Sequence, residues 1–493
     1  MDAGGVHKMK LLLLGHDCRY AMEQICLSLF PANKPETVSA PFTGDGAVSR
    51  LTRTSDGWEA SADITLDGRT CSASASFPGD PLPEPRRRQI LRQSFYLAAL
   101  QFLPAPPPWG ALSGVRPTKL STRHLLDGGT AESADRLLAE TYFVSPVRRE
   151  LCIEASLATL SSMSLLRPGD LSLYVGIPFC PTRCAYCSFV SQAISRAGRL
   201  LPPYLDALLA EIRFCGDALR KSGWRARTLY IGGGTPTILS AEQLELLMNT
   251  LSDSFDLSDL TEYTIEGGRP DTLTPEKFRL MRQLGCDRIS INPQTMSDAV
   301  LRAVGRSHTA EDIIRSFGQA RDAGFECINM DLIAGLPGDS PEGFRDSLER
   351  VLALDPENIT VHTLARKRSS DLFYADVALP DDTAVGQMVD TSLHALRAGG
   401  YTPYYLYRQK YMSGNFENIG WCRNGTYSAY NIYMMEELHP ILSMGSGGMS
   451  KLTGPDGKLL RFHNPKYPKE YSERVDTALA DKAEFFRLLG APH

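Results

Sequence analysis

The feature that most constrains the fold is a rhythm. After Pro168-Gly169 an apolar strand, a loop and an amphipathic helix recur in units, with strands expected at Ser172 to Ile177, Thr228 to Gly232, Glu262 to Glu266, Arg288 to Asn292, Cys327 to Ile333 and Ile359 to Leu364. Helices are expected between them at Pro203 to Lys221, Ala241 to Ser254, Pro275 to Leu284, Ala310 to Ala323 and Pro341 to Leu354. Alternation of this kind builds a parallel sheet covered by helices. Six units predict an α/β fold, an incomplete (β/α)6 TIM-like barrel, and in such barrels the working residues sit at the carboxyl ends of the strands.

The loop after the first strand reads Tyr174-Val-Gly-Ile-Pro-Phe-Cys-Pro-Thr-Arg-Cys-Ala-Tyr-Cys-Ser-Phe189. Cys180, Cys184 and Cys187 have the spacing C-x3-C-x2-C, which supplies thiolates for three irons of a cubane cluster and leaves the fourth iron open for chemistry. A zinc site normally pairs C-x2-C with a second Cys or His pair. The next cysteines, Cys215 and Cys286, are single. Other polar residues fall on the same predicted rim: Gly232-Gly-Gly-Thr-Pro236, Glu266, Asn292 to Gln294, Asp331 and Ala365-Arg-Lys-Arg368.

These words resemble the radical S-adenosylmethionine (SAM) enzymes. Within them, Tyr-x-x-Ile-Pro-Phe-Cys-x3-Cys-x-Tyr-Cys with Ile231-Gly-Gly-Gly-Thr-Pro-Thr237 and Asp287-Arg-Ile-Ser-Ile-Asn-Pro-Gln294 is similar to the oxygen-independent coproporphyrinogen III oxidase group, most of all its longer dehydrogenase branch. The resemblance covers roughly residues 170 to 365 and implies a [4Fe-4S] cluster on Cys180, Cys184 and Cys187 with SAM chelated to the open iron. It implies reductive cleavage of SAM to a 5′-deoxyadenosyl radical, and oxidative decarboxylation of coproporphyrinogen III propionates to vinyl groups in heme biosynthesis. Tyr174 and Tyr186 are implied to line the SAM site, with Gly233, Gly234 and Thr235 at the methionyl ammonium and Glu266 at a ribose hydroxyl. Gln294, Arg306 and Asp331 are implied as further SAM contacts, and Ala365 as a packing or backbone contact to adenine.

Two positions depart from the pattern. Phe189 stands where some oxidases have a fourth cysteine, and Glu266-Gly-Gly-Arg-Pro270 replaces Glu-x-Asn-Pro. The group also holds heme chaperones and heme-modifying methyltransferases, which keeps a heme-binding reading open, with His362 and His439 as axial-ligand candidates. For a substrate with several carboxylates, Arg366, Lys367, Arg368, Arg408 and Arg423 are the clamp candidates.

Outside the repeats, residues 1–165 read as an α+β amino-terminal extension, 166–368 as the radical SAM partial barrel, and 369–493 as a carboxyl-terminal substrate-covering region. In the extension, Lys10 to Leu14 predicts a strand, Tyr20 to Phe30 and Arg86 to Leu103 helices, and Gly57 to Leu66 followed by Asp67-Gly68 a hairpin with a type I′ turn. The stretch Met444-Gly-Ser-Gly-Gly-Met-Ser450 fails the phosphate-loop template. It reads as a plain loop or a turn whose backbone approaches a flat ligand, and a second SAM near Gly445 to Met449 stays open.

A net charge of -5 gives no support to nucleic-acid binding. No apolar run approaches the roughly 20 residues of a membrane span, and 11 scattered cysteines fit the reducing cytosol. The expected partners are a porphyrinogen or heme substrate and an electron donor protein such as flavodoxin or ferredoxin.

Overall fold

The computed structural model describes residues 7–31, 33–409, 412–454 and 456–492. The chain divides into two compact units, with the division after Ile153. The amino-terminal unit is a five-stranded sheet in the order β2-β1-β3-β4-β5, from β1 (His7–Leu14), β2 (Asn33–Val38), β3 (Gly46–Arg53), β4 (Gly57–Leu66) and β5 (Arg69–Pro78). Asp67 and Gly68 both have positive φ, as the predicted I′ turn between β4 and β5 requires. Helices Arg19–Leu29 and Glu84–Ala99 place Met22, Ile25, Leu91 and Phe95 in one core with Leu11, Ala60, Ala62 and Ile64 of the sheet.

The second unit contains the partial barrel. Its parallel strands are β6 (Asp170–Ile177), β9 (Arg225–Gly233), β10 (Glu262–Gly268), β11 (Arg288–Ile291), β12 (Cys327–Ala334) and β13 (Asn358–Thr363), each beside its neighbour in sequence. Between β6 and β9, the two-residue strands β7 (Phe179–Cys180) and β8 (Gln192–Ala193) pair across the cysteine loop. Carboxyl-terminal strands extend both edges of the barrel sheet. β15 (Asn418–Cys422) adds antiparallel to β13 and β14 (Thr402–Tyr407) antiparallel to β15, and β16 (Ile441–Met444) pairs in parallel with β6, followed by β17 (Met449–Thr453) and β18 (Leu459–His463).

Local chemistry sets the helix starts. Ser240 and Thr309 form capping boxes with Gln243 and Asp312, and Thr274 and Ser340 cap helices whose first residue is proline. In the strands the period of two separates two chemistries. Leu173, Val175, Leu229, Ile231, Ile265, Ile289, Met330, Leu332, Ile359 and Val361 are buried on the apolar face. The alternate positions carry Tyr174, Tyr230, Thr264, Glu266, Ser290, Asn329, Asp331, Thr360 and His362. Closed barrels of this class usually fill their interior with branched apolar side chains. This one keeps a polar and aromatic interior.

Candidate active site at the carboxyl rim

The cysteine loop is stitched into the rim at both ends. Gly234 and Thr235 donate their backbone N–H groups to Ile177 O (2.8 Å) and Phe179 O (2.8 Å), so the turn after β9 lies directly under Cys180. A Cβ on Gly234 would stand 2.6 Å from Phe179 O and 2.9 Å from Cys180 Sγ, which only glycine avoids. Farther along, Ala185 N donates to Val304 O (3.0 Å) and Thr182 Oγ1 to Gly305 O (2.9 Å), joining the loop to the segment that carries Arg306.

Cys180 and Cys184 are buried and Cys187 is partly so, and none is in a disulfide. Burial raises the Cys180 and Cys187 thiols above their usual range. Both feel the charge of Cys184, while hydroxyls of Ser191 and, at Cys180, Thr235 favour the thiolate. Arg183 and Lys367 also act electrostatically on Cys187. Three neighbouring sulfurs with hydroxyl donors and cations around them suit an anionic iron–sulfur cluster. Among the described residues no three His, Cys, Asp or Glu side chains are grouped to hold one metal ion. A cubane places each thiolate on a different iron.

Glu266 lies at the end of β10, where the register shifts between Glu266 and Gly268. Its Oε1 accepts from Tyr230 OH at 2.6 Å and its Oε2 from Gly233 N at 3.2 Å. Burial, with the charge of Asp331 adding, pushes its carboxyl up to about 7 against those two hydrogen bonds. Asp331 faces His362, with Nε2 3.6 Å from Oδ2. Burial works to raise the Asp331 carboxyl, but His362 and donors on Asn329 and Thr360 outweigh it and hold it below the usual carboxylate range.

Gln294 is a non-glycine residue with φ 68°, a sparsely populated conformation often met at functional sites. Two backbone bonds fix it, Gln294 N to Asp331 O (2.8 Å) and Ile333 N to Gln294 O (2.9 Å). Arg306 is buried, donates to Asn292 O at 2.6 Å and feels the charge of Cys184 and Tyr186. Tyr186 packs on the rim cluster of Val300, Val304, Ile333, Leu336, Leu364 and Leu372. Ala365 forms an isolated bridge with Met412.

Tyr174 lies in a stack that the sequence does not announce. Its ring is 6.2 Å from Tyr230 and 6.2 Å from Tyr430, and Tyr230 and Tyr430 are 4.5 Å apart at 20°. Tyr430 comes from helix Ala429–Glu436, whose first turn is held by Glu262 accepting from Ser428 Oγ (2.8 Å) and Tyr430 N (3.2 Å). The stack therefore joins the barrel interior to Glu266 through the Tyr230 hydroxyl.

Several sequence candidates lie elsewhere. His439 accepts or donates at Ser172 Oγ (2.7 Å), near the amino end of β6, and burial lowers its imidazole to about 4. It is a core histidine on the far rim and does not suit a heme ligand. Arg423 pairs with Asp355 before β13 and stacks on Tyr401 (4.1 Å), also on that rim. Arg408 belongs to the amino-terminal unit, where it donates to Leu112 O (2.5 Å) and lies over Trp109. Arg366 and Arg368 are exposed after the sixth strand, and Lys367 is near Cys187.

The glycine turn after β16 is occupied by protein groups. A Cβ on Gly445 would meet Gly176 O at 2.5 Å and Tyr204 OH at 2.7 Å, and Gly445 N donates to Glu211 Oε2 (2.8 Å). Glu211 and Lys482 are fully buried and 3.4 Å apart. Tyr471 OH donates to Glu211 (2.5 Å), and Asn464 accepts from Lys482 (2.7 Å) while donating to Glu211 (2.8 Å).

Residues 174–351 match the radical SAM superfamily model. The chain is 40% identical over 388 residues to the oxygen-independent coproporphyrinogen-III oxidase-like protein HemZ of Bacillus subtilis, covering 77% of both chains. The chain belongs to the coproporphyrinogen oxidase group of radical SAM proteins. The heme chaperone HemW of Haemophilus influenzae is 30% identical, over 61% of this chain and 75% of the relative. The solved coproporphyrinogen III oxidase HemN of Escherichia coli, a radical SAM enzyme, matches with a TM-score of 0.52 at 26% identity, over 66% of this chain and 73% of that one. The cofactors of this radical SAM chain are a [4Fe-4S] cluster and SAM. Among the described residues no helix is long and apolar enough to cross a membrane.

Proposed function

We propose that this chain carries out oxygen-independent oxidative decarboxylation of coproporphyrinogen III, converting two propionate side chains to vinyl groups and giving protoporphyrinogen IX, in the cytoplasm. When bound, the cluster and SAM would supply 5′-deoxyadenosyl radicals, one SAM and one electron being consumed for each propionate, and each radical would take one hydrogen atom from its propionate. Each propionate then loses carbon dioxide and one electron, the electron passing to a one-electron acceptor. A donor protein of the flavodoxin or ferredoxin kind keeps the cluster supplied.

In this reading Cys180, Cys184 and Cys187 hold three irons. Gly233 and Gly234 expose backbone carbonyls and Thr235 a hydroxyl to the methionyl ammonium, and Arg306 offers its fork of donors to the methionyl carboxylate. Glu266 accepts from a ribose hydroxyl. Asp331 and Gln294 line the same site, Tyr186 closes it from the rim, and Ala365 meets adenine by packing. Tyr174 acts through the tyrosine stack that sets Tyr230 against Glu266. Arg366, Lys367 and Arg368 are the cations left at the cysteine rim to meet substrate carboxylates.

The observation that carries the proposal is the 40% likeness to an oxidase-like protein over 77% of the chain, together with a barrel interior left polar. Reconstituted protein incubated without oxygen with coproporphyrinogen III, SAM and a reductant is expected to yield protoporphyrinogen by mass. Cleavage of SAM with coproporphyrinogen returned intact would reject it. The likeness to HemW favours a second reading, heme binding, for which His362 is the imidazole inside the barrel. A Soret shift on adding hemin, lost in His362→Ala, would support it. A methylated or ring-opened heme product would instead mark a heme-modifying radical SAM enzyme.

A further inference from the structure

Arg269 lies in Glu266-Gly-Gly-Arg-Pro270, the stretch that departs from the family's word Glu-x-Asn-Pro and is one residue longer, and it is almost wholly buried. Five contacts match the five N–H donors of a guanidinium. Nε and Nη2 form a two-pronged bond to Asp271 at 3.0 and 2.7 Å. Nη1 reaches Thr182 Oγ1 at 2.6 Å and Thr182 O at 3.4 Å, and Nη2 also reaches Ser307 Oγ at 3.2 Å. Thr182 lies between Cys180 and Cys184, and Ser307 follows Arg306.

The backbone explains how one residue reaches both. The register shift at Gly268, with φ +64°, turns the chain out of β10 just after Glu266. Glu266 stays in the barrel interior while Arg269 passes under the cysteine loop. Thr182 completes the bridge, because its hydroxyl accepts from Arg269 and donates to Gly305 O at 2.9 Å. Asp271 is partly exposed and neutralises the guanidinium, so the arrangement places no net charge beneath the loop.

We propose that Arg269 is a positioning residue that fixes the spacing between the cysteine loop and the Arg306 segment, and so between the cluster and the carboxylate end of SAM. This rests on the cysteine triad as cluster ligands and on Arg306 as a SAM contact, and it is independent of the final substrate. Lysine, with a point charge and no fork, reaches one of these partners at a time. A shorter side chain reaches none.

The test uses the full-length reconstituted protein and reads no porphyrin turnover. In Arg269→Ala, iron release to a chelator is expected to be at least tenfold faster, and the change that SAM produces in the electron paramagnetic resonance spectrum of the reduced cluster to need at least tenfold more SAM. Circular dichroism should be unchanged, and Arg269→Lys should recover part of both losses. Thr182→Val removes the hydroxyl bridge while keeping the Arg269–Asp271 pair, and should accelerate iron release in the same direction even if Arg269→Ala folds poorly. A folded Arg269→Ala or Thr182→Val with wild-type iron release and SAM response would overturn the proposal. Cys184→Ala is the control for the ligand reading, which fails separately if that variant keeps a four-iron cluster.

Discussion

Glu266 is held at a cost that a single substitution exposes. Its carboxyl stands at about 7 against an ordinary 4.5. At 1.36 kcal/mol per tenfold, this disfavours the folded chain by about 3 kcal/mol once the group is ionised in both states. The sign follows from the raised value. The folded state binds the proton more tightly, so the cost is absent below the unfolded value, grows between 4.5 and about 7, and is constant above. Glu266→Gln removes the charge and keeps both partners, its amide oxygen accepting from Gly233 N–H and its NH2 donating to the Tyr230 hydroxyl. Urea titrations followed by circular dichroism, without SAM, should show the variant gaining about 2 kcal/mol more over wild type at pH 8 than at pH 5. SAM affinity should fall roughly 10- to 100-fold, the loss of a hydrogen bond to a charged acceptor. A stability difference that does not change between pH 5 and pH 8 would refute the buried-carboxylate argument. An unchanged affinity would remove Glu266 from the SAM site.

Other consequences are read from packing. Lys482→Met leaves the fully buried Glu211 without its cation, so thermal melting should report a loss of about 3–5 kcal/mol, with Glu211→Gln in the same chain restoring much of it. Gly234→Ala forces a methyl against Phe179 O and Cys180 Sγ; iron content after reconstitution should fall to less than half of wild type while helix content is kept. Tyr430→Ala empties one place in the tyrosine stack and should cost about 3–5 kcal/mol in urea titration, with iron content unchanged because its stacking partners Tyr174 and Tyr230 lie within β6 and β9, away from the three cysteines.

The repeating units were legible because each strand and helix carries its own period and its own punctuation. Helix Ala241–Ser254 begins and ends where the pattern places it, behind Ser240 and Gln243. Cys180, Gly234 and Glu266 were legible because strand ends in this architecture converge on one rim. What was not legible depends on pairings between distant segments. Nothing near Tyr174 says that Tyr430 will stack on it, since that contact requires a helix anchored by Glu262. Nothing in the glycine-rich stretch after Met444 says that Tyr204 and Glu211 will occupy it. His439 and Arg423 had suitable chemistry but lie on the opposite rim, a placement set by how the last strands add to the sheet. The interior polar row was present in the strand alternation, and reading every second residue from Tyr174 to His362 would have found it.

In the proposed site three cysteines leave one iron of four to SAM. Mössbauer spectroscopy of the iron-57-reconstituted protein, recorded before and after SAM is added, tests it directly. About a quarter of the iron signal should move to parameters of a site with nitrogen and oxygen ligands, as one open iron in a cubane requires. Four irons that remain alike, or a cluster that persists when Cys180, Cys184 and Cys187 are all replaced by alanine, would contradict it.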